Sequence, residues 1–146
     1  MAFDIEKKFL DENEGLKDGV NKKQKLNSDE VEKLEKQYPL VPRDYLDYLM
    51  EIGAGTIREI QFKVQPYLFD FVDLGLEDVY QVKDTVKFFG DNFNGDFAGF
   101  DFDNSDGTVV EFLHESNELS YTNKTFKEFI REQMLMGENG QDIRSL

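Results

Sequence analysis

The side chains best suited to chemistry lie in one short run. Asp101-Phe102-Asp103-Asn104-Ser105-Asp106-Gly107 offers the carboxylate, amide and hydroxyl oxygens that hard cations such as calcium take. Its spacing breaks the EF-hand template. Counted from Asp101, glycine falls at position seven where the template needs it at six, and position twelve is Phe112 where it needs glutamate. The flanks read as strands, whereas a calcium loop sits between helices. Asp, Asn, Ser and Gly are also ordinary occupants of a hairpin turn. The run is therefore expected to be a turn, and no metal site is assigned.

Other constellations fail in similar ways. Asp96 and Asp101 bracket a stretch containing Phe97 and Phe100, where burial would raise a carboxyl pKa and supply a general acid. The many acids nearby make such a pair unspecific. His114 is the only histidine, beside Glu115 and Ser116, which invites a Ser/His/acid reading. Neighbours on a strand point to opposite faces, and no Gly-x-Ser-x-Gly elbow is present. A structural histidine is expected, and a lone one does not make a zinc site. Gly53-Ala54-Gly55-Thr56 is too short for a dinucleotide fingerprint and follows a helical pattern. Lys22-Lys23-Gln24-Lys25 is too small a basic patch to argue for nucleic acid. No catalytic residue and no cofactor is assigned.

Charge carries more information. Between Asp70 and Glu118 stand thirteen acidic residues against two basic ones, Lys83 and Lys87, so this third of the chain supplies most of its net charge of −14. Such a field disfavours direct binding to nucleic acid and draws in a cationic protein surface. Acids that merely solvate loops are the bland alternative.

The elements that position these residues follow from periodicity. Ile5, Phe9 and Leu10 suit one face of a short helix, weakened at Gly15 and Gly19. Ser28 is placed to cap a second helix carrying Val31, Leu34 and Tyr38, stopped by Pro39. Pro42 opens a third, whose wide apolar face is Tyr45, Leu46, Tyr48, Leu49 and Ile52, with Gly53 as its stop. After Gly55 the period becomes two, Ile60, Phe62 and Val64 alternating with polar residues. Further strands are expected at 68–72, 85–89, 96–103, 108–114 and 119–122, with 75–80 as a turn or short helix. Asp106-Gly107 between two of these runs signals a hairpin. Thr125 and Glu128 are spaced as a capping box for a last helix with Phe126, Phe129, Ile130 and Met134 buried.

The expected fold is α+β: an antiparallel sheet of five or six strands with amino-terminal helices and a carboxy-terminal helix packed against it. At 146 residues one domain is expected over 1–146, with 1–27 an accessory helix and loop, 28–135 the core and 136–146 a frayed tail. Fourteen Phe and six Tyr need a core, though they could equally cover a dimer face. The absence of Cys excludes disulfides and thiolate chemistry. Neither a signal-like start nor an apolar run of membrane length is visible, which makes the expected location cytoplasmic.

Two stretches resemble a known family. Leu40-Val41-Pro42-Arg43-Asp44-Tyr45-Leu46-Asp47-Tyr48-Leu49, closing at Gly53-Ala54-Gly55, is similar to the leucine/proline-started helix of the SUKH superfamily (Smi/Knr-like domains). Phe89-Gly90-Asp91-Asn92-Phe93-Asn94-Gly95-Asp96-Phe97-Ala98-Gly99-Phe100-Asp101 resembles that family's Gly-Asp strand, with a Gly-Thr-Val-Val hairpin after it. The resemblance implies a domain without catalysis. Bacterial members are similar to immunity proteins that neutralise a cognate toxin, often a nuclease, and a eukaryotic branch includes a regulator of cell-wall synthesis. The expected partner is thus a basic toxin, with a regulatory or scaffold module as the alternative. Asp91, Asp96, Asp101, Asp103 and Asp106 are the contact candidates. Each has a local alternative as a turn or strand-end residue, and Asp96 in particular is placed to cap backbone N–H groups.

Overall fold

The computed structural model describes residues 1–14, 21–104 and 106–144. Among them are four helices: α1 (Asp4–Asn13), α2 (Ser28–Gln37), α3 (Arg43–Glu51) and α4 (Phe126–Gln133). The strands are β1 (Lys23–Gln24), β2 (Ala54–Ile57), β3 (Phe62–Phe69), β4 (Val86–Asp91), β5 (Phe97–Asp101), β6 (Val109–Leu113) and β7 (Glu118–Tyr121). All seven form one sheet in chain order, each antiparallel to its neighbour. The α+β expectation holds, with seven strands instead of five or six. The expected helix break at Gly15 and Gly19 lies outside the described residues, as does Ser105.

The helices cover one face of the sheet. From α3, Tyr45, Leu46, Tyr48 and Leu49 are fully buried, and Tyr45 packs edge-on against Phe126 of α4 at 5.4 Å and Phe100 of β5 at 5.7 Å. Burying a side chain of this size contributes roughly 1.5–3 kcal/mol. The Tyr45 hydroxyl donates to the Gln65 carbonyl at 2.9 Å, a site opened by the register shift between Val64 and Phe69. Burial pushes the Tyr45 and Tyr48 hydroxyls far above their usual range. At α4 the Thr125/Glu128 capping box forms as expected.

Three local expectations are corrected. The cap of α2 is Asn27, reciprocally bonded with Glu30, and Ser28 is the first helical residue. Along α1 and its capping residue the buried stripe is Phe3, Glu6, Phe9 and Leu10, while Ile5 is exposed. Glu6 is tolerated inside because Arg131 of α4 approaches it at 3.3 Å. Ile60 is likewise exposed, in the turn from β2 to β3. That turn needs positive φ at Arg58 (47°) and Glu59 (69°), and distant groups hold it. Glu14 accepts from the Arg58 amide at 2.8 Å and Asn21 from the Glu59 amide at 2.6 Å. The Arg58 guanidinium is buried over the Phe9 ring and pairs twice with Asp142 at 3.1 Å. Asp142 also bridges to Met136, so the segment expected to fray is tied back through that residue.

The opposite face is covered by a loop. Between β3 and β4 the chain lays Phe71, Leu76, Tyr80 and Val82 over Phe69, Val86, Phe88, Val110 and Phe112, with Phe71 and Tyr80 about 5 Å from Phe112. This second cluster anchors the most acidic part of the chain to the sheet. In β4 a bulge falls between Phe88 and Gly90. It brings the strand so close to Gly99 that a Cβ there would lie 2.1 Å from the Lys87 carbonyl oxygen.

Candidate functional site

A meander sorts its turns to two ends, and the five aspartates divide accordingly. Asp91 and Asp96 flank the β4–β5 turn, whereas Asp101, Asp103 and Asp106 sit where β5 turns into β6, beside the β3–β4 loop. About 16 Å of extended chain, five steps of ~3.3 Å, separates Asp96 from Asp101.

Asp101 is internal. It is 4% exposed and accepts from the Thr85 hydroxyl at 2.7 Å, the Tyr121 hydroxyl at 2.8 Å, the Asp103 amide at 3.0 Å and Lys83 Nζ at 3.1 Å. Burial works to raise its pKa, but these bonds outweigh it and hold the carboxyl down at about 2. The expected contact residue is instead a tie between the β3–β4 loop, β5 and β7. Its side chain points to the loop-covered face because it stands opposite Val86.

Asp96 has a similar local role. It accepts from the His114 amide at 3.0 Å, the His114 Nδ1–H at 2.7 Å and the Asn92 side chain at 3.2 Å. Burial opposes ionisation, yet these bonds keep its pKa below the usual carboxylate value. The capping alternative and the structural histidine meet in this one contact. With both carboxyls held low and far apart, Asp96 and Asp101 do not form the close pair, one member protonated, that acid–base hydrolysis needs.

The remaining candidates are more open. Asp91 accepts from the Phe93 amide at 3.0 Å and makes no ion pair among the described residues. Asp103 is exposed and 3.3 Å from Lys83, so the Lys83 ammonium sits between two carboxylates of the run first considered for calcium. Asp106 is exposed and accepts from the Thr108 amide and hydroxyl, which lower its pKa.

Residues that sequence reasoning passed over complete this end. The β3–β4 loop presents Asp73, Glu77, Asp78 and Asp84, all exposed. Both lysines of the region are already engaged, Lys83 with Asp101 and Asp103, and Lys87 with Asp70 at 2.8 Å. Asp73, Glu77, Asp78, Asp84 and Asp106 therefore have no cation partner among the described residues. Tyr67, Val72, Leu74 and Val79 stand exposed among them. In sequence the signal is Val72-Asp73-Leu74-Gly75-Leu76-Glu77-Asp78-Val79, apolar residues between acids with neither helical nor strand period. Among the described residues no group of three or more potential ligands is placed to hold a metal ion, and no helix is long and apolar enough to cross a membrane.

Fold and site together define a small α+β protein whose available surface chemistry lies in acidic loops at one end of an antiparallel meander. Residues 25–132 match the family model described as the SMI1/KNR4 family (SUKH-1), and the chain belongs to that family. No curated protein and no solved structure matches the chain.

Proposed function

We propose that this chain is a binding protein without catalytic activity that neutralises a cationic protein toxin of the nuclease type. The acidic end of the sheet would occupy the basic surface that such an enzyme uses for phosphate. One observation carries the reading: five exposed acids of the β3–β4 loop and the β5–β6 turn have no cation partner among the described residues, while Lys83 and Lys87 are used internally. Uncompensated charge of this kind slightly opposes folding and gains its value in association, where steering speeds encounter. Family membership fits an immunity or regulatory module.

The test is co-expression with candidate cationic nuclease-type toxin domains, beginning with any encoded beside this gene, scored by growth rescue and co-purification. Rescue is expected with a complex whose association rate falls at least tenfold between about 50 and 500 mM salt, as the Debye length shrinks from roughly 14 to 4 Å. A salt-independent association rate would refute the charge mechanism, and absence of both rescue and complex would refute the toxin reading. The exposed Val72, Leu74 and Val79 would serve a regulatory scaffold equally, and a stable complex with a non-toxin partner would move the reading there.

A further inference from the structure

Long-range charge accelerates encounter, but residence in a complex comes from apolar anchors seated in pockets. One cleft, where the β3–β4 loop reaches over the sheet toward the β4–β5 turn, has that construction. Its volume is about 420 Å³, and it lies between β3, the β3–β4 loop and the start of β5. Leu68, Phe69 and Phe97 line it, with the Phe69 and Phe97 rings 6.0 Å apart. Tyr67 and Leu74 are its exposed apolar residues, at 53% and 45%. Behind it stand Phe71, Phe88 and Phe112 of the second core cluster, so the cleft exists before any partner arrives.

The charged residues that line it are both acids. Asp73 and Asp91 have no cation partner among the described residues, and each is oriented by one backbone amide, from Asp70 at 2.9 Å and Phe93 at 3.0 Å. In each case that bond takes Oδ2 and leaves Oδ1 without a protein donor among the described residues. The neighbouring cleft on the other side of the loop, by Tyr80 and Val82, is lined by Lys83 and Lys87 as well as acids. Its lysines do not favour a cationic visitor.

We propose that the Tyr67–Leu74–Phe97 cleft docks one large apolar side chain of a protein partner, flanked on that partner by lysine or arginine that reach Asp73 and Asp91. This rests on the cationic-partner reading above and adds the contact that gives it specificity. Asp91 thereby keeps a place in the site, whereas Asp101 and Asp96 act inside the fold.

The probe is an end-capped hexapeptide, Lys-Arg-Leu-Phe-Arg-Lys, titrated into the ¹⁵N-labelled chain at low salt and followed by amide chemical shifts. Saturating shifts are expected at Tyr67, Phe69, Leu74 and Phe97. Affinity should fall at least fivefold when the peptide centre becomes Ser-Ser or when the protein carries Leu74→Ser, and stay within twofold for Glu32→Gln, an exposed carboxylate on α2. The same spectra report whether each variant is folded. Shifts that follow the β5–β6 turn and survive the Ser-Ser peptide would overturn the cleft, as would the lack of any saturating shift there. If the toxin complex forms and Leu74→Ser dissociates as slowly as wild type, the cleft assignment fails while the toxin reading stands.

Discussion

Replacing Asp101 by Asn keeps the shape of the side chain and removes its charge. The native carboxyl accepts four hydrogen bonds and titrates near 2, against an ordinary value of 3.8. A gap of that size corresponds to about 2 kcal/mol of folding stability, at ~1.4 kcal/mol per pKa unit. Because the folded pKa is depressed, this contribution is complete above the unfolded pKa and is lost as pH falls through the folded one. Asp101→Asn should therefore unfold about 2 kcal/mol more easily at pH 7, with a melting temperature lower by roughly 5–10 °C. The gap between wild type and variant should persist at pH 5 and shrink below about 1 kcal/mol near pH 2.5. Urea unfolding of both proteins across that range measures it. A difference under about 0.5 kcal/mol at pH 7, or one unchanged at pH 2.5, would show that the Asp101 bonds do not hold the loop, β5 and β7 together.

Two further substitutions address backbone features. Gly99→Ala would place a methyl 2.1 Å from the Lys87 carbonyl oxygen and 2.6 Å from the Phe88 Cα; both are backbone atoms, so destabilisation of about 3 kcal/mol or more is expected, read by thermal unfolding. Asn27→Ala should cost about 1 kcal/mol by removing the reciprocal cap with Glu30, and Ser28→Ala should cost less than half of that in the same unfolding assay.

Local signals made much of this protein legible from its sequence. The α3 stripe, the Thr125/Glu128 box, the Asp106-Gly107 hairpin and the switch from period 3.6 to period 2 each depend on residues within one or two turns of chain. They were enough for the α+β class, the helix positions and the stretch of chain where charge collects. What they left open depended on partners far away in sequence. Glu6 rather than Ile5 is buried because Arg131 lies 125 positions on and meets it. Arg58 and Glu59 form a turn where the strand through Ile60 was expected to begin, because Glu14, Asn21 and Asp142 satisfy them.

The site shows the same division. Composition alone placed thirteen acids in one third of the chain, but could not say which would face water. A carboxylate can be buried only where donors converge on it, and the donors to Asp101 come from the loop, its own turn and β7. Only the folded sheet sets those at hydrogen-bonding distance. The loop over residues 70–84 carries no period because it is neither helix nor strand; its apolar residues are spaced to meet a sheet face that exists only after β3 to β6 have paired. Sequence determined that this protein would be an acidic α+β domain, and tertiary structure decided which acids hold it together and which remain free to meet a partner.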